Sequence, residues 1–316
     1  MANYKPQVRL IKYLDEAPRV IASAGKLTIS GKEFSNIIED MSDEKIEEWI
    51  KELIRRGHGS PLEHSLYVFE VACSRVTSHQ IVRHRIASYT QLSQRFSDKY
   101  FRNLIEKTAS YIGTRQPVNR KNTETYKQYT LILEKLLASN PDFETLLDIV
   151  GEAFIIPPQI ITRRNKLFLE KLVESVKLYY RLLAEGVKYE DARFILPQAV
   201  KTRLLISMNA RELIESFLPL RMCTHAQWEI RYIAWSLWKK LMHIHPQLFK
   251  YVGPRCILYD NRCRKTPCTI KKYLSGECKP SIERCPELVP REGIIPCLHF
   301  ASKDPWRAES LSSKNS

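Results

Sequence analysis

The segment Arg83-His84-Arg85-Ile86-Ala87-Ser88-Tyr89-Thr90-Gln91-Leu92-Ser93-Gln94-Arg95 holds three arginines, a histidine, two serines and two glutamines in thirteen residues. That density of charge is too polar for a core element, because buried charges must be paired and hydrogen-bonded. The run therefore has to line a surface or a site, and its arginines suit an anion. The core must be built by other segments.

Those segments can be read from their periodicity. Residues 43 to 57 (DEKIEEWIKELIRRG) alternate charge and apolarity at helical spacing, acids first and bases last, as a helix dipole prefers. A turn at His58-Gly59-Ser60-Pro61 leads into residues 65 to 73 (SLYVFEVAC), whose nearly continuous apolarity predicts a strand covered on both faces. Residues 75 to 86 return to helical patterning, which would bring Gln80, Arg83 and His84 to one helix face at i, i+3 and i+4. Residues 101 to 152 read as an inserted helical excursion, and Pro157-Pro158 stops any helix there. Residues 167 to 185 bury a stripe of Leu169, Leu172, Val173, Val176, Tyr180 and Leu183. Residues 225 to 244 bury Ile230, Ile233, Ala234, Leu237, Trp238 and Leu241, their tryptophans being core residues.

Composition bounds the function. With 316 residues, 44% hydrophobic, and only 10 Gly, the chain suits a folded, helix-rich protein. No segment approaches the roughly 20 apolar residues of a membrane span, and MANYKPQVRLIKYLDE lacks the apolar stretch of a signal peptide, so a cytoplasmic location without membrane association is expected. The net charge of +15 favours anionic partners. A nucleic-acid partner is disfavoured, because the decisive arginines sit among His, Asn and Gln rather than in basic stripes with exposed aromatics.

The chemistry gathers in separated motifs: His58-Gly59-Ser60-Pro61-Leu62-Glu63-His64; Arg83-His84-Arg85 followed by seven residues and Ser93; Asn209-Ala210-Arg211; and Arg221-Met222-Cys223-Thr224-His225-Ala226-Gln227-Trp228-Glu229. In order and spacing the set resembles the flavin-dependent thymidylate synthases, which methylate deoxyuridylate (dUMP) using a flavin. The resemblance implies FAD as cofactor, NADPH and methylenetetrahydrofolate as co-substrates, and a homotetramer whose flavin sites are shared between subunits. The expected fold is mixed α/β (α+β), with a central, largely antiparallel sheet flanked by long helices. Residues 1 to 253 would form the enzyme domain and 254 to 316 an extension. An inactive structural relative is the principal alternative.

Carried over residue by residue, the resemblance assigns FAD contacts to Ser60, Arg83, His84, Arg85, Gln91, Asn209, Ala210, Arg211 and His225. It assigns dUMP contacts to Gln80, Arg83, Gln91, Leu92, Ser93, Gln94, Arg95, Arg193 and Arg221, and places His58 near the flavin and the folate route. Arg221 would be catalytic, its fixed cation stabilising charge on the pyrimidine, with His225 one helical turn later in support. Such chemistry needs no enzymic nucleophile; Ser88 and Ser93 lack an adjacent base, and Ser93 is expected to bind phosphate.

Two departures from the family pattern stand out. Thr90-Gln91 replaces the usual Asn-Glu, and one extra residue falls near Glu215-Ser216, leaving a flavin contact unassigned. Cys73 and Cys223 read as ordinary small residues. Cys256, Cys263, Cys268, Cys278, Cys285 and Cys297 crowd the tail near His299 with no CxxC pair, which favours disulfides or free thiols over a metal. The end, SKDPWRAESLSSKNS, is expected to be disordered.

Overall fold

A computed structural model describes residues 3–117 and 120–307. Strands β1 (Gln7–Tyr13), β2 (Tyr67–Ser74), β3 (Ala87–Gln91) and β4 (Lys201–Met208) form one sheet in the order β1-β2-β4-β3, every neighbouring pair antiparallel. On β2, Tyr67, Phe69, Val71 and Cys73 alternate onto the core face. Glu70 stands on the other face and pairs with Arg203 at 2.8 Å. The expected two-sided cover therefore holds only over Val71–Ser74.

The core on that face is completed by helices whose stripes match their periodicity. Asp43–Arg56 buries Ile46, Ile50, Leu53 and Ile54 and closes on Gly57, whose φ of 72° is the left-handed conformation that suits glycine. Trp228–Ile244 buries the expected stripe plus Trp235, and its indoles donate to backbone: Trp235 to Met222 O and Trp238 to Phe249 O, each at 3.1 Å. That helix starts at Trp228 rather than at residue 225, because Gln227 caps it by accepting from the Glu229 and Ile230 amides.

Residues 101 to 152 do more than interrupt the chain. Helices Lys99–Tyr111, Thr123–Ala138 and Phe143–Val150 pack on Lys166–Ala184 to make a second core around Leu133, Leu146, Val176 and Tyr180. Pro158 opens a short helix, Pro158–Thr162, where its missing N–H costs nothing. Buried Lys201 joins this bundle to the sheet and the N-terminus, donating to Asn3 O at 2.6 Å and to the carbonyls of Gly151 and Glu152.

Beyond residue 253 the first core continues. Ile257, Leu258, Ile270, Tyr273, Leu298 and Ala301 all belong to it. Cys268 and Cys278 form a disulfide, while Cys73, Cys223, Cys256, Cys263, Cys285 and Cys297 are free. Among the described residues no group of three or more His, Cys, Asp or Glu is placed to hold a metal ion, and no helix is long and apolar enough to cross a membrane. The chain's end is ordered further than its composition suggests: Trp306 packs edge-on against Trp228 and Tyr232 and donates to Ile156 O at 3.0 Å. Residues 308–316 lie outside the described residues.

Candidate active site

The sheet's antiparallel register brings three of the four motifs together. Tyr67 at the start of β2 and Ala87 at the start of β3 both pair with Met208 at the end of β4. The chain just before β2 (His58 to His64), just before β3 (Arg83 to Arg85) and just after β4 (Asn209 to Arg211) must therefore meet at one end of the sheet.

Their contacts are specific. Asn209 Oδ1 accepts from the Glu212 amide at 2.9 Å, starting the helix that carries the rest of the motif. The Ala210 amide donates to Ser65 Oγ at 2.7 Å. Arg211 bridges Glu63 and Glu215, with Nε 3.0 Å from Glu215 Oε2. Gly59 lies so close beneath this guanidinium that a Cβ there would stand 2.5 Å from Arg211 Nε. Glu215 also receives Arg262 of the C-terminal extension at 2.8 Å, which anchors that extension to the motif loop.

The stretch around Glu215-Ser216 is a π-helix, Glu212–Phe217. Such widened turns collect at functional sites. Arg221 closes the following turn, Leu218–Arg221.

Burial and exposure then divide the predicted residues. The helix expected over 75 to 86 is only Arg75–Ile81, so Arg83 and His84 lie beyond it and share no helix face with Gln80. The cause is the following strand: Tyr89 donates back to Ile81 O at 3.0 Å and His84 O at 2.6 Å, folding residues 82 to 86 into a turn that feeds β3. The segment from Arg83 to Arg95 is thus partly a sheet-edge strand rather than a binding loop throughout. Arg83 and Arg85 are exposed, and no acid among the described residues pairs with them. His58, Ser60 and His225 are exposed as well. A cleft of about 410 Å³ beside His58 and Ser60 is walled by Trp49, Leu53 and Ile29.

His84, in contrast, is buried. Its Nδ1 lies 2.9 Å from Glu212 Oε1, its Nε2 accepts from Arg221 Nε at 2.9 Å, and its ring meets the edge of Phe217 at 4.9 Å. Arg221 Nη2 donates to Gln80 O at 3.3 Å, and burial pulls the guanidinium's pKa down from its ordinary value. Nη1 has no partner among the described residues. His225 is not one helical turn after Arg221, because the chain leaves the helix at Met222.

The remaining predicted residues lie at the far end of β3, roughly 13 Å along a strand of this length. Gln91 donates to Ser78 Oγ and Thr202 Oγ1, each at 3.1 Å, and is held inside the subunit. Leu92 donates from its amide to Arg203 O, and Ser93 Oγ accepts from the Arg95 amide across a turn that includes Gln94. Arg193 is half-buried, its Nε on Glu190 O at 3.1 Å. The pKa of half-buried Arg75 is lowered by burial and then by Arg193, which marks a cationic spot that periodicity did not single out. Glu229, named in its motif without a role, proves structural: its buried carboxylate accepts from the Ser74 amide and hydroxyl, at 2.7 and 2.5 Å, stapling the helix that carries Gln80 to Trp228–Ile244. The signal in both cases was a charged residue inside an otherwise apolar or motif-bearing stretch.

The site thus offers a half-buried cation, held by His84 and Gln80, beside exposed arginines, which suits an anionic ligand. A family profile described as thymidylate synthase complementing protein matches residues 9–247, most of the chain. The chain is 44% identical over 303 residues to the flavin-dependent thymidylate synthase of Aeropyrum pernix, covering 93% of each, and 38% identical to that of Sulfurisphaera tokodaii, covering 92% of this chain and 95% of the other. Its fold is similar to that of the Helicobacter pylori flavin-dependent thymidylate synthase, solved with FAD and dUMP, at a TM-score of 0.51 and 26% identity over 78% of this chain and 99% of that one. Motif order, sheet-end geometry and these likenesses agree: the chain belongs to the flavin-dependent thymidylate synthase family.

Proposed function

We propose that this protein converts dUMP to dTMP, with methylenetetrahydrofolate as carbon donor, NADPH as reductant and FAD as resident cofactor, acting in the cytoplasm as a homotetramer. The observation that carries the reading is Arg221, held by His84 and Gln80 with no partner for Nη1 among the described residues, beside exposed Arg83 and Arg85, which no acid among those residues pairs with.

The residues present fit FAD. Arg83 and Arg85, exposed and with no acidic partner among the described residues, can hold its diphosphate, while Ser60, Asn209, Ala210 and Arg211 border the same sheet end and His225 follows Arg221 in the chain. The Trp49 cleft beside His58 suits a flat ring, either of the flavin or of the folate. Reduced FAD, when bound, supplies the electrons that complete the methyl group. Arg221 stabilises negative charge on the uracil, and Gln80 helps fix that cation. Gln91, Leu92, Ser93, Gln94, Arg95 and Arg193 bind the nucleotide from the other end of β3. In a homotetramer a neighbouring copy would complete the site. Residues 1 to 253 act as the enzyme domain, and the extension 254 to 316 buttresses it through Arg262.

The test is release of the C5 hydrogen of dUMP with NADPH and methylenetetrahydrofolate. A yellow protein that NADPH bleaches anaerobically and that turns over is expected; a colourless protein that takes up no added FAD would refute the proposal. Light scattering checks the tetramer, and a monomer with flavin fully bound would contradict it.

A further inference from the structure

We propose that Glu212 and His84 are positioning residues that together orient Arg221 for the reaction, an inference that rests on the functional reading above. An ionised carboxylate can only accept hydrogen bonds and a guanidinium can only donate them. Glu212 Oε1 at 2.9 Å from Nδ1 therefore calls for a proton on Nδ1, and Arg221 Nε at 2.9 Å from Nε2 calls for a bare lone pair there. Both neighbours select the same neutral tautomer. A proton on Nε2 would set N–H against N–H and release the arginine.

The surroundings hold that choice. His84 and Glu212 are each about 4% exposed in their side chains, so water cannot substitute for either bond. Ser216 Oγ stands 3.2 Å from Nδ1, and Phe217 covers the ring. Glu212, Ser216 and Phe217 all come from the π-helix, and Arg221 follows one turn later, so the widened turn aims the carboxylate and the guanidinium at one imidazole from two levels of one helix. Held by Nε and Nη2, Arg221 keeps Nη1 without a partner among the described residues. The histidine of Arg83-His84-Arg85 thereby faces the protein interior, although its neighbours face solvent.

The decisive variant is Glu212→Gln, nearly the same size, whose amide can also donate to Nδ1 and so admits the wrong tautomer. Misplacing a catalytic group by about 1 Å costs on the order of a hundredfold. Glu212→Gln should therefore lower kcat roughly tenfold to a hundredfold while flavin content and KM for dUMP change by less than about threefold. In an Arg221→Lys background, followed by mass-spectrometric C5 exchange over hours, the same change should cost less than about threefold, since the residue it acts through is gone. His84→Gln, compared in both backgrounds, should show the same coupling and serves if Glu212→Gln folds poorly. Wild-type kcat in Glu212→Gln, or an equal cost in both backgrounds, would overturn the proposal. A wild type that holds flavin but never turns over would instead sink the functional reading, and this inference with it.

Discussion

Gly59→Ala isolates the contact between two motifs far apart in sequence. Gly59 has φ of −78°, so alanine suits its backbone and would even lower the entropy of the unfolded chain by about 0.4–1 kcal/mol. The new methyl would lie 2.5 Å from Arg211 Nε and 2.8 Å from Glu215 Oε2, whereas carbon contacts settle near 3.5–4 Å. Arg211 must retreat by roughly 1 Å. Its ion pairs with Glu63 and Glu215 are substantially exposed and screened by solvent, so overall stability should stay close to that of the wild type. Flavin binding should suffer more. Losing one hydrogen bond from a charged donor should weaken the Kd for FAD roughly tenfold. Fluorescence titration of flavin-stripped protein with FAD, beside a thermal melt, measures both. In an Arg211→Ala background the glycine substitution should add nothing to the loss. Wild-type FAD affinity in Gly59→Ala would refute the reasoning, as would a large fall in Tm showing that the loop cannot relax.

Other consequences are equally direct. Arg221→Ala should abolish thymidylate formation, a loss of about 3–4 kcal/mol in the transition state, while the protein stays yellow; Lys should rescue poorly, and wild-type C5 hydrogen release from the alanine variant would exclude the assigned role. Cys268 and Cys278 are 10 residues apart, so Cys278→Ser should destabilise the protein by about 2–3 kcal/mol on loop entropy, measured by denaturant melts with and without reductant. Burial pushes the Lys201 pKa from 10.5 down to about 8. The unfolded chain thus keeps a proton that the native protein releases between those values. Stability contributed by this group should be flat below pH 8 and rise from pH 8 to 10, by up to about 3 kcal/mol, relative to Lys201→Met. A difference in Tm between the two proteins that does not change over that range would contradict it.

Local pattern alone determined the long helices. The stripes of Asp43–Arg56, Lys166–Ala184 and Trp228–Ile244 follow from side-chain periodicity, a property of neighbours within one turn, and the motif residues could be named from order and spacing. Residues 75 to 91 were less transparent. Helical periodicity ran on past Ile81, but pairing of Ala87–Gln91 with β4, more than a hundred residues away, drew residues 82 to 86 into the turn that feeds β3, because ladder hydrogen bonds and the Tyr89 contacts outweigh weak local propensity. The same non-local register decided which predicted residues meet. It set Arg83, Asn209 and His58 at one end of the sheet and Gln91 to Arg95 at the other. It also turned His84 inward onto Glu212, since only the folded chain brings a carboxylate and a guanidinium to opposite edges of that ring. Composition suggested a loose tail, yet Trp306 finds Trp228 and Tyr232; an apolar surface on a distant helix, invisible in the tail's own residues, supplies the burial that orders it.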